Sequence, residues 1–170
     1  MFRSMRRKTQ ALDQAACEAV LAHNTAGVLA VAGDEGWPYA VPLSYAYDGK
    51  SLWFHCALQG HKLDGIQRSD KVSFCVVDQD VVVPEKYTTC FRSVIVFGRA
   101  RLIADEKARR RALFLLAAKY SPKVPTADRD KEIEGNLGRT VVVEVAIEWM
   151  SGKEGAELMR QRSAGSEHNI

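Results

Sequence analysis

This sequence predicts a mainly β fold, an antiparallel barrel with peripheral helices, and three observations predict it. Segments of alternating apolar and polar residues recur along the chain, and hairpin-type turn signals separate most of them. No GxGxxG or P-loop spacing occurs, so a doubly wound sheet built around a nucleotide fingerprint has no local support. The chain has 170 residues with 46% hydrophobic content, enough for one compact domain over residues 1–170 with little room for a second.

Near the N-terminus, Asp13 can cap a short helix reaching His23, with Leu12, Ala16, Val20 and Leu21 near one face. Residues 26–32 are a small-residue apolar run suited to a buried strand, and Gly33-Asp34-Glu35-Gly36 is a turn. Residues 37–47 read as one long strand containing Pro38 and Pro42. Proline removes a ladder donor, so each must lie at an edge, a bulge or a strand start; Pro42 predicts a break that leaves backbone groups free for a ligand. Asp48-Gly49 is a hairpin signal, with residues 51–56 as the returning strand and a short helical stretch over 60–68.

Residues 71–77 alternate Val72, Phe74 and Val76 against Ser73 and Cys75, and residues 81–83 suit a short edge piece. Residues 92–103 form a long strand in which Gly98 marks a bulge or a close approach. Asp105 caps the strongest helix, over 107–120, with Ala108, Leu113, Leu115, Leu116 and Ala117 as its apolar residues and Pro122 as its stop. A more polar helix follows over 126–137, then a strand over 139–150 with Val141, Val143, Val145 and Ile147 on one side. Residues 163–170 are polar and read as a frayed tail.

Composition narrows the function classes. A net charge of +3 with interspersed signs is too mild for a nucleic-acid surface. Arg3, Arg6, Arg7 and Lys8 read as a solvated tail, with a phosphate or partner contact as the alternative. Cys17, Cys56, Cys75 and Cys90 form no CxxC pair and read as reduced, buried thiols. No apolar stretch follows the basic start, and no run reaches the roughly 18 residues that span a bilayer, so a cytoplasmic protein without membrane contact is expected. HExxH, GxSxG and paired Cys/His spacings are absent, and His23, His55, His61 and His168 are scattered. No metal is expected, a site shared by His55 and His61 being the minor alternative, and hydrolysis has little support.

The segment carrying the most chemistry runs from Trp53 to Ile66. An apolar alternating run ends in a turn with Gly60, His61 and Lys62, and an amphipathic pattern follows at once. A strand that delivers a basic turn to a helix start can hold a phosphate. Glycine permits close approach, lysine brings a point charge, histidine can donate a hydrogen bond, and the first helical amides point outward. The alternative is a surface loop with incidental basic residues. His55 alternates with Phe54, so the two face opposite sides of their strand.

These motifs together resemble the pyridoxamine 5′-phosphate oxidase-like split-barrel superfamily. The resemblance rests on Pro42-Leu43-Ser44-Tyr45, the Asp48-Gly49 turn, Phe54-His55 and Gly60-His61-Lys62-Leu63, and it is nearest to the 5-nitroimidazole-resistance branch. Met5-Arg6-Arg7-Lys8, the Gly60-to-Asp64 motif, the strand from Arg92 to Gly98, Lys119-Tyr120 and Ser151-Gly152-Lys153-Glu154 carry that nearer likeness, over roughly residues 5–154. It implies a six-stranded split barrel that forms a homodimer and binds flavin mononucleotide (FMN) at the subunit interface, with FAD as the alternative. It also implies that the backbone of Pro42, Leu43, Ser44 and Tyr45 lies along the flavin ring. Phe54, His55, Gly60, His61 and Lys62 would hold the ribityl chain and phosphate.

Ser93, Val94 and Trp149 are implied to approach from the second subunit. The oxidase loop has an arginine where His61 stands, so one charged, bidentate contact is missing, and Arg6 or Arg7 is the expected replacement. The oxidase's C-terminal arginine-and-histidine signature is not evident, so pyridoxamine phosphate oxidation is not expected. Flavin carries the electrons itself, which suits a chain with no visible catalytic constellation. The expected activity is reduction of a small electron-poor substrate, nitroaromatic-like, with NAD(P)H as a candidate donor and His55 as the candidate polar group at the substrate face. A non-catalytic flavin- or haem-binding or sensing protein is the rival expectation, and a non-binding structural domain is the third.

Overall fold

The computed structural model describes residues 2–166. Strand alternation buries Leu29, Val31, Phe74, Val76, Val94, Val96, Val143 and Val145 on one face of a single antiparallel sheet, and helices pack on parts of both faces. The strands are β1 (Ala11–Leu12), β2 (Ala26–Ala32), β3 (Pro38–Ser44), β4 (Ala46–Tyr47), β5 (Ser51–Cys56), β6 (Lys71–Val83), β7 (Thr88–Leu102) and β8 (Val141–Glu154). The helices are α1 (Gln14–His23), α2 (His61–Arg68), α3 (Glu106–Tyr120), α4 (Thr126–Asn136) and α5 (Ala156–Ser166). The strand order is β3-β2-β6-β7-β8-β5-β4, with β1 added on β8. The mainly β, antiparallel expectation is borne out, but among the described residues the sheet has eight strands instead of six, β1 and β4 contributing two residues each.

The expected continuous strand over 37–47 is corrected. β3 ends at Ser44 and β4 starts at Ala46, at the opposite end of the strand order. The sheet therefore curls until its two ends lie one residue apart, at Tyr45, and no ladder pairs β3 with β4, so the barrel is not closed. The interruption belongs at Tyr45, whereas Pro42 sits inside a regular stretch opposite Val28. Pro38 and Pro42 share one phase of an edge strand paired only with β2, so a missing N–H on its open side costs no ladder bond.

Residues 81–83 are a continuation of β6 past a register shift at Val77/Gln79, and Gly98 does mark a bulge, at Phe97/Gly98. Both expected caps form: Asp13 accepts from the Ala16 amide and Asp105 from the Ala108 amide, each at 2.8 Å. α5 was not expected; of the predicted tail, residues 163–166 lie within it, and residues 167–170, with His168, fall outside the described residues.

The main core lies inside the curled sheet under α1 and α2. A second core, of Ala112, Leu113, Ile133 and Val142 with Trp53 and Ile103 against it, joins α3 and α4 to the outer face of β5 and β8. Buried charges run across the β6 bulge. Asp78 accepts from Asn24 and lies 2.5 Å from His23, Arg92 lies 3.4 Å from both Asp78 and the fully buried Glu154, and Arg162 reaches Glu154 at 2.9 Å. All four cysteines are free; Cys17 is buried and the others are half-buried. Among the described residues no helix is long and apolar enough to cross a membrane.

Candidate functional site

The two cores leave a gap where the C-terminal end of β3 and the outer face of β5 meet α3 and α4. It is a cavity of about 580 Å³, lined by Leu43, Ser44, His55, Leu113, Leu116, Ala117, Tyr120, Ser121, Glu132, Ile133, Asn136 and Thr140. That volume falls within the range of small-molecule sites. Three residues singled out from the sequence meet here: Leu43 and Ser44 at the strand end, and His55, whose alternation with buried Phe54 turns it outward into the cavity. Among the described residues no lysine or arginine lines this wall, and its one acid is Glu132, which accepts from the Asn136 side-chain amide at 2.8 Å.

The residues behind the wall are pinned. Tyr45 is fully buried, its hydroxyl donating to the Leu21 carbonyl at 2.8 Å and its ring meeting Phe74 edge-on at 5.0 Å. Burial pushes the Tyr45 phenol above its ordinary value. The Tyr45 amide donates to the Tyr120 hydroxyl at 2.9 Å, and that hydroxyl lies 2.7 Å from the Tyr45 carbonyl and also against the Thr25 carbonyl. Lys119 Nζ donates to the Asn24 carbonyl at 2.5 Å and stands 4.4 Å over the Tyr45 ring; burial lowers its pKa.

The basic turn follows the C-terminal end of β5, just past His55 and Cys56. Gly60 has φ 142° and ψ 159°, a conformation essentially restricted to glycine, and a side chain there would meet open space. Its carbonyl accepts from Leu63 and Asp64, and no side chain caps α2, which leaves the first amides of the helix facing outward. Gly65 seats α2 on β2: a Cβ would stand 2.6 Å from Val31 and 2.8 Å from the Ala32 carbonyl. Lys62 is half-buried near Cys56, whose thiol burial pushes up while the lysine charge acts against the rise. His61 is turned away to its own chain. Its ring stacks on Tyr39 at 4.1 Å, and Nε2 lies 3.3 Å from Asp34 without making a hydrogen bond.

The other sequence candidates lie elsewhere in the chain. Pro42 is exposed on the outer face of β3, while Phe54 and Val94 point into the main core. Ser93 sits on β7 opposite Val77 and Lys153. Trp149 packs on the outer sheet face against Phe97, and Phe2 stacks on both. The N-terminal cations Arg3, Arg6, Arg7 and Lys8 are exposed.

Sequence reasoning did not single out the cavity wall of α3 and α4. Leu113, Leu116 and Ala117 read simply as a helix's apolar stripe, and only the juxtaposition of Tyr120 with Ser44 shows their second use. A second concavity, on the other flank of α3 beside Asp48 and Trp53, holds none of the sequence candidates. Among the described residues no group of three or more His, Cys, Asp or Glu gathers as a metal centre would require.

Comparison with known proteins supplies the remaining findings. The sequence profile described as pyridoxamine 5′-phosphate oxidase matches residues 13–154. A candidate 5-nitroimidazole antibiotic resistance protein from Bacteroides thetaiotaomicron superposes with a TM-score of 0.70 at 23% identity, over 85% of this chain and 86% of that one. A conserved hypothetical protein from Mycobacterium tuberculosis gives 0.78 at 18% identity, over 91% and 92%. An FAD-binding protein from Mesorhizobium loti gives 0.61 at 27% identity, over 86% and 97%. No protein of curated function matches the chain significantly.

Proposed function

The chain belongs to the pyridoxamine 5′-phosphate oxidase family, and on that premise we propose that it binds flavin and uses it to reduce a small electron-poor substrate. The observation that carries the reading is the cavity. Leu43 and Ser44 bring a strand end to it, His55 projects into it, and β5 leads from His55 to the Gly60-Lys62 turn. The FAD-binding relative from Mesorhizobium loti supports flavin as the ligand class, and the proposed form is FMN, with FAD as the alternative.

The residues present fit such a group. The turn offers an open, side-chain-free approach at Gly60, outward amides at the start of α2, and a half-buried Lys62 for a phosphate. The cavity offers apolar walls from Leu113, Leu116 and Ala117 for a flat ring. Bound flavin would supply hydride and electron transfer. The chain's own part is to orient the ring against Leu43 and Ser44, exclude water with α3 and α4, and present His55 at the substrate face as a hydrogen-bonding group. With a reduced nicotinamide nucleotide as donor, the net reaction on a nitroaromatic takes a hydride equivalent from the nucleotide and one proton from solvent, giving the oxidised nucleotide, the nitroso compound and water.

A homodimer belongs to the same proposal. Val28, Val77, Ile95 and Phe97 form an apolar outer sheet face that no element among the described residues covers fully, Val77 being 58% exposed. Patches of that kind mark association surfaces. Ser93, opposite Val77, and Trp149, packed on Phe97, adjoin this face, which suits the contribution expected of them in a partner's site. A cytoplasmic location accompanies the proposal.

The test is spectroscopic. Purified protein, or protein incubated with FMN, should show the visible bands of bound flavin; anaerobic NADPH or NADH should bleach them, and a nitroaromatic should restore them. Flavin that binds but is bleached by neither nucleotide would refute the nicotinamide-linked reductase, and a preparation that retains no flavin would refute the whole reading.

A further inference from the structure

The place where the sheet's two ends meet is the least supported stretch of backbone near the cavity. Tyr45 belongs to neither β3 nor β4, so its buried amide and carbonyl have no ladder partner. One phenol from outside the sheet meets both, since Tyr120 Oη accepts from the Tyr45 amide at 2.9 Å and lies 2.7 Å from the Tyr45 carbonyl. The same oxygen contacts the Thr25 carbonyl, at the start of β2. Next to it, Lys119 Nζ holds the Asn24 carbonyl at 2.5 Å and covers the Tyr45 ring at 4.4 Å. Two consecutive residues at the end of α3 thereby grip both ends of the curled sheet.

We propose that Tyr120 and Lys119 are positioning residues for the flavin ring: they fasten α3 to the Tyr45 crossover and so fix the Leu43–Ser44 edge against the opposite wall of the cavity. The assignment rests on the flavin reading above. Three features carry it. Leu43, Ser44, Ala117, Tyr120 and Ser121 line one cavity, so its width on this side is the distance that the Tyr120 contact sets. The phenol's only proton is shared between two backbone carbonyls while its lone pair serves an amide, so Tyr120 has no proton to give a substrate despite standing at the cavity wall. Lys119 is likewise spent on a carbonyl and a ring face, which explains how a cation can stand so close to the cavity without lining it. The grip joins segments 75 residues apart, Tyr45 and Tyr120, and so acts as a tertiary brace.

The experiment compares wild type with Tyr120→Phe, which removes one oxygen and keeps the ring, and with Lys119→Met. Hydrogen exchange is followed first without flavin. In Tyr120→Phe the amide of Tyr45 should exchange at least about tenfold faster, the loss expected for one hydrogen bond, while amides of the β6–β7 ladder stay as they were. FMN affinity should then fall by about tenfold, and the bound flavin should show shifted visible bands and a shifted reduction potential, because the ring no longer meets a fixed edge. Lys119→Met should shift the same bands by less. Faster exchange at Tyr45 with unchanged FMN affinity, spectrum and potential would overturn the assignment, leaving a structural brace only. Unchanged exchange at Tyr45 would overturn the brace itself. A wild type that binds no flavin would overturn the flavin reading and this assignment together, and the flavin-free exchange data keep that failure separate from a failure of the brace.

Discussion

The candidate site has two ends of different kinds, the cavity at His55 and the basic turn that follows Cys56. At the cavity end, the Leu43–Ser44 strand end runs into Tyr45, which is fully buried and held by contacts from a distant helix, and no cation among the described residues lines the wall. At the turn end, Gly60 and Lys62 depend on a special backbone conformation and a single half-buried charge, with little packed on them. The contrast suits a ligand with an uncharged flat part and an anionic part. A ring is placed by shape, which needs rigid walls, and a phosphate is placed by charge, which tolerates an open approach. It also shows where the turn is thin. His61 is engaged with Tyr39 and Asp34, so Lys62 is the one cation of the Gly60-Lys62 turn left to face an anion.

The largest effect should come from reversing that charge. Lys62→Glu is expected to weaken FMN by about 100-fold, since a charge-assisted contact is lost and a repulsion replaces it. Riboflavin, which lacks the phosphate, should be weakened far less, and an equal loss for both ligands would break the division between the two ends. Gly60→Ala comes next. The conformation at φ 142° should cost about 1–3 kcal/mol with any Cβ, read as a lower denaturation midpoint and a weaker grip on FMN.

Asp48→Asn sharpens the comparison from outside, because Asp48 braces the β4–β5 turn and touches neither end. Burial pulls its carboxyl up, but hydrogen bonds from the Ser51 and Lys50 amides and the Trp53 indole, with the Arg111 charge, hold it below its ordinary value overall. Its stabilising contribution is therefore present above the ordinary carboxylate pKa and is lost as pH falls through the lowered value. The variant should melt earlier than wild type at neutral pH, the gap should close in acid, and FMN affinity at neutral pH should hold. The smallest effect is expected from His61→Ala, within about twofold in FMN affinity, because its ring stacks on Tyr39 and its Nε2 sits beside Asp34 of its own chain. A larger loss would return His61 to the phosphate.

Much of the turn end was legible in the sequence and much of the cavity end was not. Caps at Asp13 and Asp105, the Asp48-Gly49 hairpin and the Gly60 turn are local, so residue type and spacing reveal them. The interruption at Tyr45 is not local: Pro42 is the stronger strand breaker by type, yet the chain breaks where the sheet's ends happen to meet. His55 could be placed on an outward face by alternation alone, but the partners it would find, Glu132 and Asn136 on α4 and Tyr120 on α3, come from elements brought over it by tertiary packing. β1 is too short to show a period, and α5 commits only Leu158 deeply to the core among its described side chains, so neither carried a readable pattern.

The proposed function places one flavin per chain with its phosphate at the Gly60-Lys62 turn. Its most direct test is an equilibrium titration of FMN against wild type, Lys62→Glu and, as a control, Lys50→Glu in the exposed β4–β5 turn. Saturation at one FMN per chain, with Lys62→Glu weakened by about 100-fold and Lys50→Glu unchanged, is the predicted result. No saturable binding, or equal weakening by both substitutions, would contradict it.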